Sequence, residues 1–193
     1  LIIIWIYPRG LILKPSFLQK TGVVDQLRRE LARPKYQVAP IAIGTNTDPY
    51  QAIEGRYQTT RQILELMLET RHPVAIVTKG AMIERDIDLL AALAEQGLTR
   101  VGISVTSLDR TLSRRMEPRA PDPKRRLAVI HRLSDAGIPV RVMASPMIPG
   151  LSDHELEAIL QAGRDHGATS ASWNMLRLPH DTEALFKDWL TRH

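Results

Sequence analysis

The sequence predicts an α/β fold built on a parallel sheet, and three observations carry that prediction. Five short apolar runs end abruptly in small polar or charged residues: PIAIGTNTD at 40–48, PVAIVTKG at 73–80, RVGISVTS at 100–107, PVRVMAS at 139–145 and TSASWNMLR at 169–177. Amphipathic stretches at helical spacing separate them. Strand alternating with helix implies parallel strands, because each crossover returns the chain to the same edge. The third observation is a recurring phrase of helix, glycine and strand, in LAEQGLTRVGISV, LSDAGIPVRVMA and GRDHGATSASWNM. All five polar tips then lie at one end of the sheet, where α/β folds carry their ligand sites.

The elements follow in order. Val24, Leu27 and Leu31 predict a helix over 23–32, ended by Pro34. A strand over 39–44 follows, then a helix over 57–70 with Ile63, Leu64, Leu66 and Met67 as its apolar stripe. His72-Pro73 breaks that helix before a strand over 74–78. A helix over 83–95 buries Ile87, Leu90 and Leu93, and Gly97 closes it. A strand over 101–105 leads into a longer connection over 106–122, with a short helix near 108–116. Asp122 reads as an N-cap with Pro123 at the first helical position, starting a helix that Gly137 ends. After a strand over 140–144, Ser152 and Glu155 read as a capping box. That helix stops at Gly167, and a strand over 168–176 and a helix over 182–190 complete the chain.

With 193 residues, 44% of them hydrophobic and 24% charged, the chain suits one domain with a real core. Residues 21–193 read as that domain, and residues 1–20 as an atypical segment. Its LIIIWIY run is far shorter than a bilayer span of about 20 residues, and it lacks the basic leader and cleavage site of a secretory signal. It reads as an adventitious end, an edge strand or a buried first strand. The net charge of +5 permits a nucleic-acid or phosphate partner without requiring one. There is no cysteine, which excludes disulfides, thiolate metal sites and a cysteine nucleophile and fits a cytoplasmic protein. No Walker motif, GxGxxG, GxSxG or paired-histidine metal motif is present.

The strand tips hold the candidate chemistry. Gly44 permits close backbone approach. Thr45, Asn46, Thr47 and Asp48 after it either bind a polar zwitterion or ribose, or satisfy their own backbone. Lys79 ends the second strand, where it either pairs with a carboxylate or phosphate or lies on the surface. Ser104 and Thr106 alternate, so they face one side. Arg141, between apolar neighbours, points inward or toward the rim and needs a partner. Arg114, Arg115 and Arg119, with Lys124, Arg125 and Arg126, form the densest basic cluster, either a phosphate-binding lip or an internally paired loop.

GTNTDPYQ, IVTKG, ISVTSLD, RRMEPRAPDPKRRL and VMASPMIPGLSDHELE stand in order along residues 24–190. As a set they resemble the radical S-adenosylmethionine (SAM) superfamily, nearest to its spore photoproduct lyase-like, DNA repair photolyase-like branch. The resemblance implies a partial (βα)6 TIM-like barrel. It implies a [4Fe-4S] cluster on a CxxxCxxC loop, with SAM on its open iron cleaved to a 5′-deoxyadenosyl radical. It also implies that Thr45, Asn46, Asp48, Lys79, Ser104 and Thr106 approach SAM, with Ile148 and Pro149 flanking adenine and Arg141 reaching the SAM carboxylate or the substrate. This chain departs from the pattern in having no cysteine. The expectation is a fragment whose first βα unit is missing or replaced and which alone does not cleave SAM. The alternative is a non-catalytic module that binds SAM, a nucleotide or nucleic acid.

Overall fold

The computed structural model describes residues 22–178 and 182–192; the atypical segment 1–20 lies outside them. Five parallel strands follow one another in chain order in a single open α/β sheet, β1-β2-β3-β4-β5. The chain divides into two compact units, one ending at Val101 and the other starting at Gly102.

In the first unit, α1 (Val23–Leu31) buries no side chain. A forked Arg28–Glu69 ion pair, with Nη2 2.7 Å from Oε2, ties it to α3 (Thr59–Glu69). β1 is only Ile41–Ile43, paired in register Ile41↔Val74 with β2 (Val74–Thr78). Pro40 ahead of it has no N–H to give to a ladder. The helix expected over 57–70 is α3, and a short α2 (Glu54–Tyr57) that the sequence reading did not include precedes it, separated by Gln58 at φ 51°. A neighbouring side chain caps the break. Glu54 is fully buried, and its Oε1 accepts the N–H of Thr60, in the first turn of α3, at 2.9 Å. All four residues of the expected α3 stripe are buried. The next helix also starts differently, as a 3₁₀ segment (Ala81–Asp86) leading into α4 (Ile87–Glu95). Leu90 and Leu93 are buried as expected, whereas Ile87 is half-buried and Ile83 takes the core position. Gly97, at φ 68°, closes α4.

β3 (Thr99–Ser104) begins in the first unit and ends in the second. α5 (Arg110–Met116) is capped by the Asp109 carboxylate, which accepts from Thr111 N at 2.7 Å and from Leu112 N. α6 (Pro123–Asp135) starts as read from sequence, with Asp122 accepting from Arg125 N at 2.9 Å and Pro123 at the first position. β4 (Val140–Met147) runs three residues past its expected end and pairs with β5 (Ser170–Met175) in register Arg141↔Ser170, with a shift between Ala144 and Met147. α7 (Leu156–Asp165) crosses β4 so closely that a Cβ on Gly163 would lie 2.7 Å from Val142.

The capping box expected at Ser152 and Glu155 does not form. Ser152 Oγ instead accepts from Ile148 N at 3.1 Å, and the Glu155 carboxylate reaches Ser107 and Leu108. Those donors lie in a preceding strand-tip loop, and they outcompete the local pairing. β5 is largely exposed, Trp173 included, and α8 (Thr182–Arg192) follows it. No helix among the described residues is long and apolar enough to cross a membrane.

Candidate functional site at the strand tips

In the first unit the tips of β1 and β2 close on each other. Gly44 has φ 93°, and a Cβ there would fall 1.9 Å from the Val77 carbonyl oxygen. The close approach this glycine permits is therefore to its own neighbouring strand. Beyond it Thr45 and Asn46 are exposed. Asp48 is engaged by its own chain, accepting from Tyr50 N at 2.9 Å, Thr78 Oγ1 at 2.7 Å and Lys79 N at 2.8 Å. The structure thus brings Asp48 and Lys79 together through the Lys79 backbone, with the Lys79 side chain half-buried.

Below this tip lies an ionic cluster that sequence reasoning missed. Asp86, fully buried, accepts from the Tyr50 hydroxyl (3.1 Å), Arg61 (3.1 Å) and Arg85 (2.8 Å). Arg85 also reaches Glu54 Oε1 at 3.0 Å. Burial pushes the Tyr50 phenol far above its ordinary range, and the Asp86 carboxylate adds to the shift. The carboxylates hold the Arg85 and Arg61 guanidinium groups still more firmly charged. The bonded partners are 25 or more residues apart in sequence, apart from the Arg85–Asp86 neighbours, so no local motif announces them.

In the second unit Ser104 and Thr106 are both buried, and the Ser104 carbonyl accepts from Arg126 Nη1 at 3.1 Å. Ile148 is buried, with its N–H given to Ser152 Oγ and its carbonyl accepting from Leu151 and Ser152, while Pro149 beside it is exposed. Arg141 is exposed at the second position of β4, before the strand's tip, and its Nε donates to Ser170 Oγ at 3.3 Å.

The basic cluster separates into two kinds. Arg126 takes the internally paired alternative: it is 1% exposed, and it donates to Pro121 O, Ser104 O and Glu117 Oε2 (2.6 Å). Three acceptors around a planar guanidinium make its burial tolerable. Arg110, Arg114 and Arg115 remain exposed, lining with Thr111 an open depression of about 470 Å³ on α5. Among the described residues no group of three or more His, Asp or Glu side chains is placed to hold a metal ion.

The likeness to known proteins agrees with this architecture. The uncharacterized protein Rv2578c of Mycobacterium tuberculosis is 38% identical over 175 residues, covering 90% of this chain and 52% of that protein. MJ0683 of Methanocaldococcus jannaschii is 29% identical over 133 residues, covering 69% of this chain and 50% of its own. The chain therefore spans about half the length of the curated relatives it matches. Among solved structures, a spore photoproduct lyase variant superposes with TM-score 0.62 at 15% identity, covering 89% of this chain and 51% of that one. SuiB of Streptococcus suis bound to its precursor peptide SuiA gives TM-score 0.62 at 13% identity, over 93% and 42%. SuiB bound to S-adenosylmethionine gives 0.54 at 14%, over 79% and 35%. Those structural likenesses concern the fold. The Radical SAM superfamily model matches residues 14–162, from before α1 into α7, and with the strand-tip architecture it establishes that this chain belongs to the radical SAM superfamily.

Proposed function

We propose that the chain is the SAM-facing core of a lyase-like radical SAM enzyme, and that alone it does not cleave SAM. The carrying observation is the donor set at the tips of β1 and β2 in the first unit. In the first unit, exposed Thr45 and Asn46 stand in the loop that Asp48 ties to the Lys79 backbone. A hydroxyl, an amide and an ammonium suit a ribose and an amino-acid carboxylate. In the second unit the family resemblance assigns the buried Ser104 and Thr106 hydroxyls to SAM and the turn at buried Ile148 and exposed Pro149 to adenine. Arg141, at the start of β4 and bonded to Ser170 Oγ, stands before the tip and adds no donor to this set. In this superfamily SAM supplies the 5′-deoxyadenosyl group.

The [4Fe-4S] cluster of the superfamily does not fit the residues of this chain. Such clusters are held by cysteine thiolates, and the chain has none. No step through the cluster follows for these residues. Anaerobic reconstitution of the 193-residue chain with iron, sulfide and reductant is expected to yield no 5′-deoxyadenosine above a protein-free control. Its appearance would overturn the inactive reading.

A nucleic-acid partner draws support from Arg110, Arg114 and Arg115 around the α5 depression, since exposed guanidinium groups suit phosphodiesters. A cytoplasmic location belongs to the same reading, the chain having no cysteine to pair. Calorimetric titration with SAM and with DNA separates the readings. SAM binding alone supports the core reading, DNA binding alone supports a nucleic-acid module, and binding of neither removes both.

A further inference from the structure

Two strand tips are tied by one repeated device. After β2, the Thr78 hydroxyl donates to Asp48 Oδ1 at 2.7 Å, the Lys79 N–H donates to Asp48 Oδ2 at 2.8 Å, and the Gly80 N–H donates to the Thr78 hydroxyl at 2.8 Å. Gly80 then caps the 3₁₀ segment. After β3, the Ser107 hydroxyl donates to Glu155 Oε1 at 2.7 Å, the Leu108 N–H donates to Glu155 Oε2, and the Asp109 N–H donates to the Ser107 hydroxyl at 3.0 Å. Asp109 then caps α5. The order is the same in both: hydroxyl, amide, capping amide, helix. The carboxylates come from opposite directions along the chain, Asp48 from the loop after β1 and Glu155 from the 3₁₀ turn after β4.

Charge-assisted bonds of this kind are about twice as strong as neutral ones, and two parallel bonds fix direction as well as distance. Asp48 accepts a third bond, from Tyr50 N, so three of its roughly four acceptor sites are spent on its own chain. We propose that Asp48 and Glu155 are positioning residues rather than ligand contacts. Asp48 sets the backbone from which Lys79 projects. Glu155 sets the backbone that starts α5, and with it the direction of Arg110, Arg114 and Arg115. For Asp48 the consequence for SAM rests on the reading above that Lys79 meets the SAM carboxylate.

The test uses Asp48→Asn and Glu155→Gln in the 193-residue chain, read first by amide hydrogen exchange. An amide side chain keeps the size but has only one oxygen to accept with. In Asp48→Asn, exchange at Lys79 and Gly80 is expected to quicken by about tenfold, the worth of one such bond, with Leu108 and Asp109 unchanged. Glu155→Gln gives the reverse pattern. Thr78→Val and Ser107→Ala remove the hydroxyl and should reproduce the corresponding local pattern with the carboxylate intact. Unchanged exchange at these four amides, or a uniform rise through the core in all four variants, overturns the proposal. The second readout is calorimetry with SAM and with decarboxylated SAM. Positioning through Lys79 predicts that Asp48→Asn weakens SAM severalfold and leaves the decarboxylated analogue alone. Equal weakening of both marks Asp48 as a direct contact and overturns its positioning role. If the unsubstituted chain binds neither, the SAM reading fails, while the exchange pattern still decides whether the carboxylates position these loops.

Discussion

At the scale of single residues, Arg126 shows how little of a side chain's role its local sequence reveals. KRR reads as either a phosphate-binding lip or an internally paired loop, and only the fold shows its last arginine enclosed and bonded to two carbonyls and to Glu117. Removing one member of such a pair strands the other. Arg126→Ala is expected to destabilise the chain by about 3 kcal/mol, read by urea unfolding, whereas Lys124→Ala on the exposed side should change stability by less than about 0.5 kcal/mol. The same blindness hid Thr78 and Ser107. Their carboxylate partners lie 30 and 48 residues away in sequence, beyond any motif window. Asp48 and Lys79 were legible because they stand directly at the ends of apolar runs. Glu155 was legible only as a residue worth noticing: the local capping pattern named the wrong partner.

Elements were easier to read than their edges. Apolar runs bounded by glycine, proline or charge locate all five strands; burial on both faces accounts for the run only at the central β3, since β1 and β5 stay partly or largely exposed. The edges moved where a buried polar side chain intervened. Buried Glu54 splits α2 from α3, and the Asp86 cluster accompanies the 3₁₀ opening before α4. Gly163 was unremarkable in sequence, a helix-interior glycine with no periodic role. In the fold it lets α7 lie against Val142. Gly163→Ala normally gains helix propensity of about 1 kcal/mol, but here its methyl would meet Val142 at 2.7 Å. The expected outcome is a net loss of about 1–3 kcal/mol from overpacking. Val142→Ala in the same chain should recover part of it, giving a favourable coupling energy in a double-mutant cycle.

At the scale of the whole molecule, pH stability is set by which charges the fold has tied down. Tyr50 has its pKa raised by burial and by Asp86, so it stays neutral in the fold above the ordinary tyrosine value of 10.0. The unfolded chain loses that proton near pH 10 while the folded chain keeps it. Stability from this group is thus complete below pH 10 and declines as pH rises beyond it. Glu69 beside Arg28 and Asp88 beside Arg61 have depressed pKa values, so their contribution is present above the ordinary carboxylate range and fades as pH falls through the folded values. Both are exposed pairs, and their effect is small. Melting temperature against pH is expected to show a plateau near neutrality and a fall above pH 10 that Tyr50→Phe flattens. Superfamily membership was legible because its motifs lie at strand tips in a fixed order. The clasps between those tips were not, since they depend on which tips the sheet places side by side.

Arg126 also governs how the chain meets a trypsin-like protease. Cleavage after arginine requires the side chain to enter the enzyme's specificity pocket. Arg114, Arg115 and Arg119 are exposed to such an enzyme, while Arg126 is sealed against Glu117 and the Ser104 carbonyl. Nicks at those three residues fall ahead of α6, and within α6 the bond after Arg126 is spared while those after the exposed Lys124 and Arg132 stay open to the enzyme.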